Sequence, residues 1–280
     1  MSEPHQGGDG AGVGACAHVT RLSVTPVKGL ALHHPDAILL LRTGAAGDRE
    51  FFVIDGRDRL LSIWKTGRLV RLRAAYDTRS GRIALSTAKG EVCDGSARPG
   101  APVVTDFYRA RKVAGTVVEG PWNAVLSDAA GEPVRLVRAD DPGAGHDDYP
   151  VTLLGEESVA ELARRSGAES VDARRFRMLI SFSGLSPHVE DRWQGQIIEI
   201  GEAVVRVGGP VPRCAATTRH PDRGTRDLST VRMIKSYRGV QANESGRGVN
   251  FGVYADVVSE GVVRVGDPLN VRPVEGRNRL

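Results

Sequence analysis

Short runs of β-branched and aliphatic residues recur along the chain, with turn-forming residues between them. Such runs, bounded by Gly, Pro, Asn or Asp, are typical of β-strands. This many short strands favours a β-barrel or a β-sandwich over a fold of alternating strands and helices. The predicted strands are Val19–Val27, Ala37–Leu41, Phe51–Ile54, Leu60–Trp64, Arg82–Ser86, Val134–Val137, Val151–Leu154, Phe176–Phe182, Ile197–Ile200, Ala203–Val207, Val249–Val258 and Val262–Val265.

Two segments have helical spacing instead. Glu156–Ser166 begins with acidic residues, places three apolar side chains on one face and stops at Gly167, which predicts an amphipathic helix with a glycine terminator. Asp227–Tyr237 predicts a second helix, with Asp227 as its expected N-cap. The expected fold is therefore mainly β with a few helices, a β-rich α+β protein.

The length of 280 residues exceeds the usual size of one domain and predicts two. The stretch 139–148 is low in apolar residues and contains Pro and Gly, so we place the domain boundary there. We predict a disordered tail over residues 1–17, an N-terminal domain over 18–138, a second domain over 139–272 and a C-terminal tail over 273–280.

Composition narrows the class of protein. Cys16, Cys93 and Cys214 are odd in number and far apart, which argues against a disulfide framework and predicts a cytoplasmic protein. No apolar run approaches the roughly twenty residues that cross a bilayer, and the N-terminus does not resemble a signal peptide, so no membrane span is expected. The net charge of +4 is modest and Arg is interleaved with Asp and Glu, which argues against nucleic-acid binding.

Cys214 is the most informative single residue. It follows Pro212 and Arg213 and precedes a basic segment rich in turn formers that runs to Gly224. A lone cysteine is most often a small core hydrophobe. A thiol beside a guanidinium, however, has its ionised form favoured, and a thiolate is both a nucleophile and a soft metal ligand. The segment therefore leaves two interpretations of Cys214: it is a buried core residue, or it is an accessible thiolate.

Several cations lie at the ends of predicted strands, where they can meet an anion. Lys28 and Gly29 follow an early strand, and Gly29 lets the backbone approach a ligand closely. Arg49 precedes an apolar strand, and three Arg lie within Arg174–Arg177. The planar Arg fork suits phosphate, while a surface ion pair is the plain alternative for each.

Nine short motifs occur in a fixed order between Val19 and Leu269, and together they resemble MOSC proteins, the family of the molybdenum cofactor sulfurase C-terminal domain. The chain is most similar to the two-part group that includes the mitochondrial amidoxime reducing component and its bacterial relatives. The motifs are Pro26–Gly29, Gly47–Arg49, Phe176–Arg177, Glu190–Trp193, Ile200–Ala203, Pro212–Thr218, Lys235–Arg238, Asn250–Tyr254 and Val265–Leu269.

The resemblance implies a MOSC-type N-terminal β-barrel domain packed on a MOSC β-barrel domain, with the molybdenum cofactor, a molybdopterin, between them. It implies that Cys214 is the catalytic residue and the protein ligand of molybdenum. Arg213 would help to keep that thiolate ionised. By the same resemblance the cofactor-binding residues are Lys28, Gly29, Arg49, Tyr149, Arg177, Arg213 and Tyr254.

The activity implied is the two-electron reduction of N-hydroxylated small molecules, with electrons from an external ferredoxin, flavoprotein or cytochrome. The chain reaches Leu280 without a further cysteine cluster, so we expect no iron–sulfur centre of its own.

The chain also departs from the family pattern. Gly29 and Pro212 stand where many relatives have Ser, Leu179 stands where close relatives have Asn, and Trp64 changes the expected wall of the site. These departures keep two alternatives open. One is a metal-free sulfur carrier or transferase that uses a persulfide on Cys214, and the other is a non-catalytic carrier of the molybdenum cofactor.

Overall fold

A computed structural model describes residues 17–244 and 246–272. The predicted tails therefore lie outside the described residues, apart from Ala17, which is buried and whose carbonyl accepts a hydrogen bond from Leu269 N at 2.8 Å. Cys16 also lies outside the described residues. None of the described helices is long and apolar enough to span a membrane.

Strands dominate the described residues, as predicted. In chain order they are β1 (His18–Leu22), β2 (Ala37–Leu41), β3 (Gly44–Ala45), β4 (Phe51–Asp55), β5 (Arg73–Asp77), β6 (Arg82–Thr87), β7 (Gly90–Ser96), β8 (Arg98–Phe107), β9 (Arg111–Glu119), β10 (Val134–Ala139), β11 (Val151–Gly155), β12 (Ile180–Ser183), β13 (Ile197–Ile200), β14 (Ala203–Pro212), β15 (Gln241–Asn243), β16 (Gly246–Gly248), β17 (Asn250–Ser259), β18 (Gly261–Arg264) and β19 (Leu269–Arg272).

Helices are few among the same residues. The α-helices are α1 (Trp122–Ala130), α2 (Glu156–Ser166) and α3 (Thr230–Arg238). Four short 3₁₀-helices cover Arg68–Arg71, Ala173–Phe176, Val189–Arg192 and Ala215–Thr218. The mainly β class with a few helices is therefore confirmed.

The largest sheet has seven strands in the order β1-β12-β11-β17-β14-β13-β19. Its pairs are antiparallel except β11 with β12, which run parallel. A bridge between His18 and Pro268, just before β19, brings the two edges together, so the sheet nearly closes into a barrel. Its interior is a core of aliphatic residues with Phe182 and Trp193. Closure of this kind removes most of the exposed strand edges.

Smaller sheets build the N-terminal half. Four strands pair in the order β4-β10-β9-β8, and β5, β6 and β7 form a three-stranded meander. A second core fills the space beneath them, with Phe51, Trp122 and Leu126 fully buried. Two connections cross the predicted boundary at 139–148, because β1 pairs with β12 and β2 pairs with β18. The division into 18–138 and 139–272 stays a prediction.

The first predicted helix is confirmed over Glu156–Ser166, with Gly167 in the left-handed conformation as its C-cap. The second begins three residues later than predicted, and Asp227 is not its N-cap. The reason is an ion pair, since the Asp227 carboxylate meets the Arg175 guanidinium at 2.7 Å. That charge pair holds Asp227 away from the helix end.

The predicted strand Val19–Val27 was too long, because β1 ends at Leu22 and only Val24 and Val27 make isolated bridges beyond it. Two other predicted strands were wrong in detail. Leu60–Trp64 forms no named strand, because only Leu60 makes a bridge and the segment then turns. Phe176–Phe182 is divided, since a 3₁₀-helix ends at Phe176, Arg177 is left-handed with φ 53°, and β12 starts only at Ile180. In both cases a backbone turn interrupts a run of apolar residues.

The two halves touch through an unusually close backbone contact. A Cβ atom added at Gly67 would lie 2.0 Å from Gly224 O, and one added at Gly224 would lie 1.9 Å from Gly67 O. Only glycine fits at such a distance. This contact fixes segment 64–71 of the N-terminal half against segment 219–226 of the C-terminal half.

Gly67→Ala is expected to destabilise the protein by about 1–3 kcal/mol, the usual cost of overpacking, because the new methyl group must displace the Gly224 carbonyl. Urea unfolding measures the change. Gly56→Ala is the matched control, since a Cβ there meets nothing within 4 Å. Equal stability of the two variants would contradict the close contact.

Candidate functional site

A pocket lies between the two halves of the chain, beside the end of β14 and the turn after β8. Trp64 and Tyr108 contribute to its wall from the N-terminal half, and Thr152 and Met178 from the C-terminal half. The structure brings all eight sequence-predicted site residues to this one pocket. They are Lys28, Gly29, Arg49, Tyr149, Arg177, Arg213, Cys214 and Tyr254.

Cys214 is exposed in this pocket and forms no disulfide. Its backbone is extended, with φ −115° and ψ 179°, and the 3₁₀-helix Ala215–Thr218 begins directly after it. Thr217 holds this turn, because its amide and its hydroxyl donate to the Cys214 carbonyl at 3.3 and 3.0 Å. The turn therefore presents the thiol to the pocket and rules out the core-hydrophobe reading.

Lys28 is buried and forms an ion pair across the pocket with Asp147, with 2.8 Å between Nζ and Oδ1. Burial lowers the pKa of Lys28, Asp147 opposes that shift, and Arg49 adds to it. Partial desolvation at the pocket wall alone would raise the pKa of Asp147, but Lys28 and Arg49 hold it below its usual value. The Asp147 side chain is 55% exposed, so this carboxylate is within reach of a molecule in the pocket.

Arg49 and Arg177 face each other from opposite halves, and both have φ 53°, an uncommon conformation for a residue other than glycine. Arg49 is paired with the buried Asp48 and donates to the Arg177 carbonyl at 3.2 Å. Arg177 donates to the Leu30 carbonyl at 2.7 Å. Burial, and then the charge of Arg49, lowers the pKa of Arg177 to about 9.

Arg213 is held entirely by uncharged groups in the described chain. Its Nε donates to the Phe251 carbonyl at 2.8 Å and its Nη1 donates to the Phe176 carbonyl at 3.1 Å. Its guanidinium also lies over the Phe176 ring, 5.4 Å from the centroid. Burial lowers the pKa of Arg213 to about 10. Its role beside Cys214 stays a prediction, because these hydrogen bonds go to carbonyl groups.

Neither Arg177 nor Arg213 has an ion-pair partner within residues 17–244 and 246–272. A guanidinium that leaves water without a carboxylate nearby keeps an unbalanced charge. Burial is the largest cause of the lowered pKa of each residue. The pocket is therefore suited to an anion.

Two stacked tyrosines form another part of the wall. The Tyr149 and Tyr254 rings lie 5.1 Å apart at 19°. Tyr149 donates to Glu244 at 2.8 Å, and this bond, followed by burial, raises the pKa of Tyr149 to about 12. Tyr254 donates to Asp148 at 3.1 Å, and burial raises its pKa. Both hydroxyls therefore stay protonated and fixed.

Sequence reasoning missed Tyr108, His146 and Asp147, which also line the pocket. Tyr108 lies in the turn between β8 and β9, and no pattern indicated either strand. His146 and Asp147 belong to the stretch predicted as a connection. The one sequence feature that could have indicated them as site residues is their position shortly before Tyr149, which was already predicted to bind the cofactor.

The structure gives local causes for two of the departures, Gly29 and Leu179, and a position for the other two. Gly29 has φ +93°, a conformation that a side chain rarely adopts, so a serine would be strained there. Leu179 is buried in the barrel core, and its amide donates to Thr152 Oγ1 at 2.8 Å. Pro212 lies within β14, and the Trp64 side chain is 47% exposed at the rim of the pocket.

His146 should make the stability of the protein depend on pH. Burial, and then the charge of Arg49, lowers the pKa of His146 to about 4. An unfolded histidine takes up a proton near pH 6.5, so between about pH 6.5 and 4 only the unfolded chain is protonated there. The stability associated with neutral His146 is therefore present above this window and is lost as the pH falls through it, by roughly 3 kcal/mol.

The measurement is urea unfolding of the wild type and His146→Gln at several pH values across this window. The variant should lose less stability on acidification than the wild type. Parallel curves for wild type and His146→Gln would exclude a buried neutral imidazole.

Comparison with known proteins gives a family match for part of the chain. Residues 140–270 match the family model described as MOSC domain. Mitochondrial amidoxime-reducing component 1 of Homo sapiens is 26% identical over 288 residues, covering 92% of this chain and 82% of that protein. Mitochondrial amidoxime reducing component 2 of Bos taurus is 34% identical over 124 residues, covering 43% of this chain and 36% of that protein.

Molybdenum cofactor sulfurase of Oryza sativa subsp. japonica is 29% identical over 147 residues, covering 41% of this chain and 18% of that protein. The matched segment 140–270 contains Cys214, Arg213 and Arg177, which line the pocket. Sequence motifs, a nearly closed seven-stranded sheet and the family match agree with one another. Residues 140–270 of this chain are therefore similar to the MOSC domain family, and the longer alignment is with an amidoxime-reducing component.

Proposed function

We propose that this protein is a molybdenum-cofactor-dependent oxidoreductase that reduces N-hydroxylated small molecules. The N–O bond of the substrate breaks, two electrons and two protons are taken up, and the amine or amidine and one water are released. The electrons come from an external ferredoxin, flavoprotein or cytochrome. The observation that carries the proposal is an exposed thiol in a pocket whose Arg177 and Arg213 have no ion-pair partners among the described residues.

The charges of the pocket support an anionic cofactor. Five cations line it, namely Lys28, Arg49, Arg175, Arg177 and Arg213. Three of them are paired with carboxylates: Lys28 with Asp147, Arg49 with Asp48 and Arg175 with Asp227. The phosphate of a molybdopterin would balance the remaining positive charge, with the Arg residues as planar forks and Lys28 as a point charge.

Cys214 supports a sulfur-ligated metal. A thiolate is a soft ligand, and it suits a metal that already has sulfur neighbours. When bound, the cofactor supplies a metal that changes its oxidation state by two. The chain orients the group through Lys28, Arg49 and Arg177 and presents one further sulfur. The accessible Asp147 carboxylate is placed to hold a polar substrate group or a proton.

The relatives support the same activity. Two of them are named for the reduction of amidoximes, which are N-hydroxylated compounds, and one is named for the molybdenum cofactor. The amidoxime-reducing component 1 aligns over 92% of this chain. We carry the activity over as a proposal, on the joint support of this similarity and the pocket.

Inorganic phosphate should stabilise the protein in the absence of any cofactor, because it neutralises Arg177 and Arg213. At ten times its dissociation constant the gain is about 1.4 kcal/mol. Thermal unfolding at increasing phosphate measures it. Arg177→Met should weaken the affinity for phosphate about tenfold. Arg206→Met, which changes an exposed residue of β14, should leave that affinity unchanged. Equal stabilisation of both variants by phosphate would contradict an anion site at Arg177.

Cys214→Ala should abolish substrate reduction, because the metal loses its protein ligand. We would express the chain in a host that makes the molybdenum cofactor, and measure metal content and the reduction of benzamidoxime by reduced methyl viologen. Activity should fall by about a hundredfold or more. Cys93→Ala is the control, since Cys93 lies in β7 and does not line the pocket.

Wild-type protein without molybdenum, combined with full activity in Cys214→Ala, would contradict the proposal. A persulfide on Cys214 without metal, seen by mass spectrometry, would instead identify a sulfur carrier. Retained cofactor without turnover of any N-hydroxylated compound would identify a cofactor carrier.

A further inference from the structure

Two segments from different halves of the chain form one surface next to the pocket. Segments 64–71 and 219–226 meet at the close contact of Gly67 with Gly224. Arg219 Nη2 donates to the Trp64 carbonyl at 2.9 Å, and Arg71 Nε donates to the Arg223 carbonyl at 3.2 Å. These bonds hold six cations together on a surface that we call the basic face. They are Lys65, Arg68, Arg71, Arg219, Arg223 and Arg226.

Most of this positive charge is unbalanced. Within residues 17–244 and 246–272, four of the six cations of the basic face have no ion-pair partner. The other two are Lys65, which meets Asp55 and Glu132, and Arg223, which meets Asp227 at 3.6 Å. The carboxylate Asp222 lies in the same segment but is held by Arg174, at 2.8 Å.

The guanidinium donors on this surface are directed to carbonyl groups, which neutralise no charge. Arg219 donates to Gly224 and Trp64, and Arg226 donates to Trp64 at 3.4 Å. The Nε of Arg219 is buried and has no hydrogen-bond partner. Burial, and then the charge of Arg226, lowers the pKa of Arg219. The basic face therefore carries a positive potential that is complementary to an acidic partner.

Its position connects the basic face with the candidate site. Trp64 adjoins Lys65 in the chain, is 47% exposed and lines the pocket together with Cys214. On the other segment, Arg219 follows the 3₁₀-helix Ala215–Thr218, which begins beside Cys214. A partner on the basic face would thus cover the rim of the pocket. Trp and Arg are also the residues most enriched at the energetic centres of protein interfaces.

We propose that the basic face is the docking site of an acidic, electron-carrying protein, an inference that rests on the proposed function. A donor must approach the pocket closely, and an acidic surface meets complementary charge at its rim. Such complementarity steers association and fixes orientation. A protein is favoured over a nucleic acid because the face adjoins one exposed Trp, and because the net charge of the chain is only +4.

The test compares three variants of the full chain. The first carries Arg68→Glu, Arg71→Glu and Arg223→Glu, none of which lines the pocket. The second carries Gln at the same three positions. It removes the positive charges without adding negative ones, so a loss of binding in this variant is not explained by misfolding around new carboxylates. The control carries Arg79→Glu, Arg98→Glu and Arg206→Glu, the same change of charge at exposed positions elsewhere. An acidic [2Fe–2S] ferredoxin is the probe.

Calorimetric binding of the ferredoxin needs no molybdenum and tests the face directly. The Glu variant should bind at least about tenfold more weakly than the control, and the Gln variant should fall between them. The difference should shrink as the ionic strength approaches about 1 M, where charges are screened beyond about 3 Å. Equal binding by the Glu variant and the control overturns the docking site, as does tighter binding of a single-stranded oligonucleotide than of ferredoxin.

Turnover separates this inference from the proposed function. With loaded enzyme, ferredoxin-driven reduction of benzamidoxime should fall in the Glu variant, while viologen-driven reduction should stay unchanged, because viologen needs no docking site. Absence of viologen-driven reduction in the wild type would refute the proposed function, and the binding titration would still decide the docking site. Equal loss with both donors would refute docking.

Discussion

Two partly buried guanidinium groups that meet carbonyl oxygens instead of carboxylates are the constraint on which the site depends. Arg177 donates to Leu30 and Arg213 to Phe176 and Phe251. These bonds fix the direction of each side chain but leave its charge unbalanced. Burial lowers the pKa of each Arg. An anion entering the pocket would balance this charge, which is the physical basis of the proposed cofactor site.

One of these bonds also joins the two halves of the molecule. Arg177 belongs to the C-terminal half and donates to Leu30, while Arg49 of the N-terminal half donates to the Arg177 carbonyl. The Gly67–Gly224 contact adds a second junction beside the pocket. The pocket thus exists only where the halves meet, and its charge balance is linked to how they fit together. Closure of the seven-stranded sheet places the end of β14, and with it Cys214, at this junction.

Local sequence was enough for the features that depend on near neighbours. The turn after Pro212 and the basic residues around Cys214 indicated a presented thiol, and the periodicity of Glu156–Ser166 fixed that helix to the residue. The strands β7 and β8 were missed because most of their residues are exposed and several are Gly or Pro, so no apolar alternation marks them. The pattern likewise gave no sign of α1.

Contacts distant in the chain account for what could not be predicted. Asp227 is drawn from the helix end by Arg175, and Tyr108 enters the pocket only because the β8–β9 hairpin folds over it. The left-handed conformation of Arg177 divides a run that reads as one strand. Each of these three features depends on contacts with a distant segment of the chain. A local sequence pattern carries no information about such contacts.

The central claim is that the Cys214 sulfur reaches the metal of a cofactor held by these cations. X-ray absorption at the molybdenum edge tests it most directly, on cofactor-loaded wild type and Cys214→Ser. The account predicts one sulfur neighbour more in the wild type than in the variant. The same number of sulfur neighbours in both proteins would contradict it.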